Sequence, residues 1–173
     1  MNPLRQSYEA RVLVVPLGES AQRMADILPA MGLEGMLMLV DAPGSPTSHS
    51  RNGLRIQPLG SGGWHPGGSV LDTASLVEEA DMVVLLANDL TDVSNDLVRK
   101  IADDARAGGD LIAAVLIAPT HWEEASGASA MTTLRQEVDM LVSVRGPRLA
   151  AAFLDVLRGG PRNLNPTHEE THA

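Results

Sequence analysis

Five predominantly apolar runs, set apart by segments of helical spacing, constrain this chain more than any other feature. They are Arg11–Val15, Met36–Val40, Met82–Ala87, Leu111–Ile117 and Met140–Val144. A strand that is apolar at nearly every position is buried on both faces, which places it in a parallel sheet covered by helices. The intervening segments agree. Ser20–Met31 puts Met24, Ile27, Leu28 and Met31 on one side, with Ser20 placed as a cap. Ser94–Ala107 repeats the pattern with Leu97, Val98, Ile101 and Ala105 and stops at Gly108-Gly109. Val70–Ala80, Met131–Glu137 and Pro147–Leu157 complete the helices, and Leu54–Gln57 adds a short strand. The expected fold is α/β, a three-layer Rossmann-like parallel sheet of about six strands with helices on both faces.

The chain divides into a mobile leader (1–10), one domain (11–158) and a disordered polar tail (159–173). Aromatic residues make up only 2% of it, so the core is built from Val, Leu, Ile, Met and Ala. A net charge of −9 excludes electrostatic attraction to nucleic acid or to an anionic membrane, because Lys and Arg must supply it. With no cysteine, thiolate metal sites and disulfides are excluded. No apolar run reaches membrane-spanning length, and the first ten residues are polar, so a cytoplasmic protein is expected.

Function in such folds concentrates in loops at the C-terminal edge of the sheet. After Met82–Ala87 comes Asn88-Asp-Leu-Thr-Asp-Val-Ser-Asn-Asp96, a loop that opens a helix and carries Asp89, Asp92 and Asp96 but no glycine. Glycines let backbone N–H groups converge on a phosphate; aspartates fill that room and add like charge. Three readings follow: Asp92 or Ser94 caps the helix, the aspartates hold a hard cation, or an altered phosphate loop survives. A second loop, Gly60-Ser-Gly-Gly-Trp-His-Pro-Gly-Gly68, is either an anion cradle or a surface turn. Trp64 and Trp122 are expected in loops on the same C-terminal edge. His65 and His121 lack neighbours at ligand spacing, so no metal site is expected. Asp41 ends the second run where a dinucleotide fold places its ribose acid, but Gly18 alone is a poor remnant of a dinucleotide fingerprint.

Four segments in order resemble the nucleotide-binding half of the tubulin/FtsZ superfamily, over residues 11–150. Leu54 to Gly68 is similar to its strand and glycine-rich loop, and Glu79-Ala-Asp-Met-Val-Val84 to the junction before its signature loop. Pro119-Thr-His-Trp-Glu123 matches its Pro-x-x-aromatic-Glu, and Leu134–Val144 its next helix and strand. The resemblance implies nucleotide contacts at Gly18, Gly62, Gly63, Thr91 and Ser94, with Glu123 on the ribose, and GTP or GDP as the ligand. Departures from the pattern cut against that ligand. The signature glycine loop reads Leu90-Thr-Asp-Val-Ser-Asn-Asp96, the first loop shrinks to Pro16-Leu-Gly-Glu-Ser20, and the family's second domain with its catalytic acidic loop is missing. The expectation is therefore a non-catalytic binding or assembly module with no catalytic residues and no cofactor, whose partner is an FtsZ-like filament or a copy of itself. The alternative is a nucleotide-binding protein whose hydrolysis is completed by another chain.

Overall fold

The structure is a computed structural model that describes residues 9–40, 55–60, 64, 66 and 73–159. Most of the leader and tail, the 42–53 loop, Leu54 and the first residues of the second predicted helix lie outside these. The element order is β1 (Val12–Pro16), α1 (Glu19–Ile27), a 3₁₀ turn (Pro29–Met31), β2 (Met36–Val40), β3 (Arg55–Leu59) and α2 (Thr73–Glu79). Then come β4 (Met82–Asp89), a second 3₁₀ turn (Leu90–Asp92), α3 (Asn95–Gly108), β5 (Leu111–Thr120), α4 (Ala125–Glu137), β6 (Met140–Val144) and α5 (Pro147–Arg158).

The six strands form one sheet in the order β3-β2-β1-β4-β5-β6. β1, β2, β4, β5 and β6 are parallel, each central strand carrying the buried aliphatics its composition requires. One face packs Val12, Val14, Val84, Leu86, Val115 and Ile117 against α1 and α5. The other packs Leu13, Val15, Leu85 and Leu116 against α2, α3 and α4. The fold is the expected three-layer, Rossmann-like α/β arrangement. Truncating one of its sealed leucines, such as Leu85, costs about 2–5 kcal/mol.

Three local expectations need correction. β3 pairs with β2 in antiparallel register, Met36 facing Leu59 and Val40 facing Arg55, so the sheet is not wholly parallel. Its strand is short and contains Pro58, which suits an edge and leaves its direction to the connection before it. β5 does not stop at Pro119. It continues to Thr120 through an irregularity in which Ala118 takes φ 44°, and Asn88 bridges the gap with Nδ2 bonds to the carbonyls of Ile117 (2.7 Å) and Ala118 (3.1 Å). α4 starts at Ala125, six residues before the predicted Met131, because Ala and Ser hold a helix and Gly127 meets a close backbone neighbour. Among the described residues no helix is long and apolar enough to cross a membrane.

Candidate functional site

The strand order places a switch point between β1 and β4. From β1 the chain crosses to β2 on one side; from β4 it crosses to β5 on the other. In open α/β sheets the crevice above such a point is where ligands sit. Three segments line it here: Gly18–Ser20 after β1, Asn88–Asp92 at the end of β4 and Ala118–His121 at the end of β5.

The protein sets a carboxylate of its own, from the exposed Asp92, at this edge. α1 has no side-chain cap from Gly18, and Ser20 is not the expected cap but lies inside the first turn. The Ser20 N–H, an unsatisfied donor of that turn, donates instead to Asp92 Oδ2 at 3.2 Å. An acid at the positive end of a helix is favourable, and it occupies the position a phosphate oxygen would take. Gly18 makes this approach feasible. It adopts φ 92°, ψ 174°, a region open essentially to glycine, and a Cβ there would overlap the Asp92 Cβ and crowd its carbonyl.

Asp89 has a different set of partners. Its Oδ1 accepts from the Thr91 backbone N–H at 2.9 Å and from Thr91 Oγ1 at 2.7 Å, which caps the 3₁₀ turn. His121 Nδ1 lies 3.0 Å from the same oxygen. The Asp89 N–H donates to Ser20 Oγ at 3.0 Å, tying the β4 loop to α1. The Thr91 hydrogen bonds, then His121, hold the Asp89 carboxyl below its ordinary value. The hydrogen bond and charge of Asp89 push His121 up, toward imidazolium, which weakens it as a proton acceptor. His121 takes φ 58°, and α4 packs beneath it at Gly127, where a Cβ would collide with the His121 carbonyl.

The predicted site residues separate. Gly18 and Thr91 meet in the crevice, Gly18 against Asp92 and Thr91 on Asp89. Ser94 is a helix cap: its Oγ accepts from Leu97 N at 3.3 Å at the start of α3. Glu123 is exposed and pairs with nothing among the described residues. Gly62 and Gly63 lie outside the described residues. Their flanks do not sit beside the crevice, however. Because β3 is antiparallel it ends at the N-terminal edge of the sheet, where Gly60 packs on Glu34 and Trp64 Nε1 donates to Val12 O at 3.0 Å. Trp122, 58% exposed, stands at the opposite edge, so the two tryptophans do not share a surface.

The three aspartates do not converge either. Asp96 is fully exposed and pairs with Arg99 at 3.5 Å, and among the described residues no group of three His, Asp or Glu could hold a metal. The Ser20–Asp92, Ser20–Asp89 and Asp89–His121 contacts were beyond sequence reasoning, since they join positions 72, 69 and 32 residues apart. The one available signal was the Asp-rich loop itself. Both buried or half-buried hydroxyls here are tied to Asp89: Thr91 Oγ1 donates to its carboxylate and Ser20 Oγ accepts from its backbone N–H.

No protein-family model matches the chain, and no curated protein does. Among solved structures it is similar to biliverdin reductase from Synechocystis sp. PCC 6803, determined with biliverdin and NADP+, at 18% identity and a TM-score of 0.32. The likeness covers 78% of this chain and 37% of that one, so the chain spans little more than a third of the reductase's length.

Proposed function

We propose that this chain is a non-catalytic module that has kept a nucleotide-binding architecture and works through protein contacts. The observation that carries this reading is the Asp92 carboxylate seated on the Ser20 N–H beneath Gly18. A phosphate entering there must displace an acid already satisfied by the helix, and it then meets Asp89 and Asp92 at close range without a described Lys or Arg to offset them. The resemblance of residues 11–150 to the tubulin/FtsZ superfamily supplies the partner class: a filament of FtsZ type, or another copy of the chain. Such a module would join a filament at one face and stop its growth.

Two measurements test the reading together. Isothermal titration with GTP and GDP, with and without magnesium, is expected to give no heat up to millimolar ligand. Co-sedimentation with FtsZ filaments is expected to carry the chain into the pellet or reduce filament mass. Micromolar nucleotide binding overturns it, and no effect on filaments removes the filament as the partner. The alternative, a nucleotide whose phosphate expels Asp92, draws on the intact glycine turn and helix N-terminus at the switch point. It predicts that Asp92→Ala strengthens nucleotide binding from a measurable starting value.

A further inference from the structure

The two edges of the sheet are treated differently by the sequence. β3 carries Pro58 within the strand, a common device for blunting an edge. β6 (Met-Leu-Val-Ser-Val) has no charge, proline or glycine, and none of its residues is fully buried. Unpaired edges without charge, proline or bulge recruit further strands.

Which groups of β6 are free follows from the ladder. Leu111 N donates toward β4 at Asp81 O (3.4 Å), while Ile112 turns to the β6 side, its carbonyl accepting from Asp139 N (2.9 Å) and its N–H donating to Asp139 Oδ2 (2.9 Å). Alternation along β5, with Ala114 opposite Leu141, directs the backbone of Met140, Val142 and Val144 to β5. The N–H and C=O groups of Leu141 and Ser143 then face outward.

The flanking charges are self-complementary. Asp139 and Arg145, both exposed, stand three residues to either side of Val142. An antiparallel pairing of two copies about a twofold axis at Val142 sets Asp139 opposite Arg145 of the second copy, twice; Asp139 Oδ2 is held by the Ile112 N–H, which leaves Oδ1 for the pair. The same register exchanges backbone hydrogen bonds between Leu141 and Ser143, the outward-facing residues. Arg145 has no partner among the described residues.

The helix above the edge supplies apolar cover. On α5, Arg158 occupies the flank toward the start of β2, where it donates to the Glu34 carbonyl and lies 3.6 Å from Glu9. At 100° per residue, Leu149, Phe153 and Val156 fall on the opposite flank, the side of β6. Leu149 is 55% and Val156 76% exposed. Met140 and Val144 pack on this α5 face of the sheet, so the stripe and the Val142 side chain share one side.

We propose that β6 pairs antiparallel with β6 of a second copy, about Val142, to give a homodimer with one continuous sheet and the α5 flanks packed across the axis. The occupant is a second copy because backbone polarity, flanking charges and apolar stripe are all complementary under one twofold. This holds whether or not the crevice binds nucleotide and whether or not a filament is the partner, so it stands or falls separately from the function proposed above.

Sedimentation equilibrium of the full chain from low micromolar to several hundred micromolar decides it. A monomer–dimer equilibrium is expected. Ser143→Pro removes only an outward N–H, and Val156→Glu changes a surface position, so both fold; circular dichroism checks this. Each is expected to raise the dimer dissociation constant about tenfold or more, and Arg145→Asp likewise. A wild-type chain that stays monomeric, its edge left to a different protein or to residues 160–173, overturns the proposal. So does a dimer that all three variants leave intact.

Discussion

His121 Nδ1 stands 3.0 Å from Asp89 Oδ1, closing the ends of β5 and β4 over the crevice. The contact is an ion pair only when both groups are charged. His121 is raised above its ordinary 6.5, so its contribution is complete below that value and fades as pH rises through the raised one. Asp89 is lowered below 3.8, so its contribution is present above that value and is lost as pH falls through the lowered one. Thermal melts of wild type and His121→Ala should differ most between about pH 4 and 6.5 and converge at mildly alkaline pH. The acid-side loss should persist in the variant, because Thr91 is the larger hold on Asp89. A gap that widens with rising pH contradicts the pairing.

Gly18 supplies the second prediction. Its backbone lies where a side chain is strained by about 1–3 kcal/mol, and a Cβ would press on Asp92. Gly18→Ala should lower stability by at least that amount in denaturant titrations. Combining it with Asp92→Gly should cost less than the sum of the two single changes, because the overlap is removed along with the carboxylate. Strict additivity would show that the two residues do not meet.

The core of this fold was legible because five of its strands are largely aliphatic runs, and they appear where the sequence pattern puts them. The direction of β3 was not. Arg55–Leu59 is short, mixed and interrupted by Pro58, and nothing in its own residues says which way it runs. That one direction moved the flanks of the glycine-rich loop to the far edge of the sheet and separated Trp64 from Trp122. The acidic loop was legible as an oddity but not in its geometry. Asp92 and Ser20 meet only because β1 and β4 are neighbours, and strand order is set by packing of the whole sheet. Ser94, whose partner is three residues away, was readable as a cap for the same reason that Asp92 was not.

Ser94 therefore makes a local prediction. Its Oγ satisfies one first-turn donor of α3, and Ser94→Ala should destabilise the protein by about 0.5–2 kcal/mol. Ser94→Asp should retain most of that, since aspartate caps equally well and suits the helix dipole. Neither change should alter any ligand heat. An effect on nucleotide titration with unchanged stability would return Ser94 to the binding-site role its loop position suggested.

Gly127 sets two effects against each other. Gly127 lies in the first turn of α4, where a glycine costs up to about 1 kcal/mol relative to alanine, so propensity alone predicts that Gly127→Ala stabilises. The position is buried, however, and the new methyl would collide with the His121 carbonyl and approach the Trp122 backbone. Backbone atoms cannot turn aside as a side-chain tip can, and overpacking of this kind costs about 1–3 kcal/mol. Sterics should win, giving a net loss of stability. Because the displaced residue is His121, the variant should also flatten the pH dependence assigned above to the Asp89 pair. A Gly127→Ala protein that melts higher than wild type, with its pH profile intact, would mean that α4 does not clamp His121.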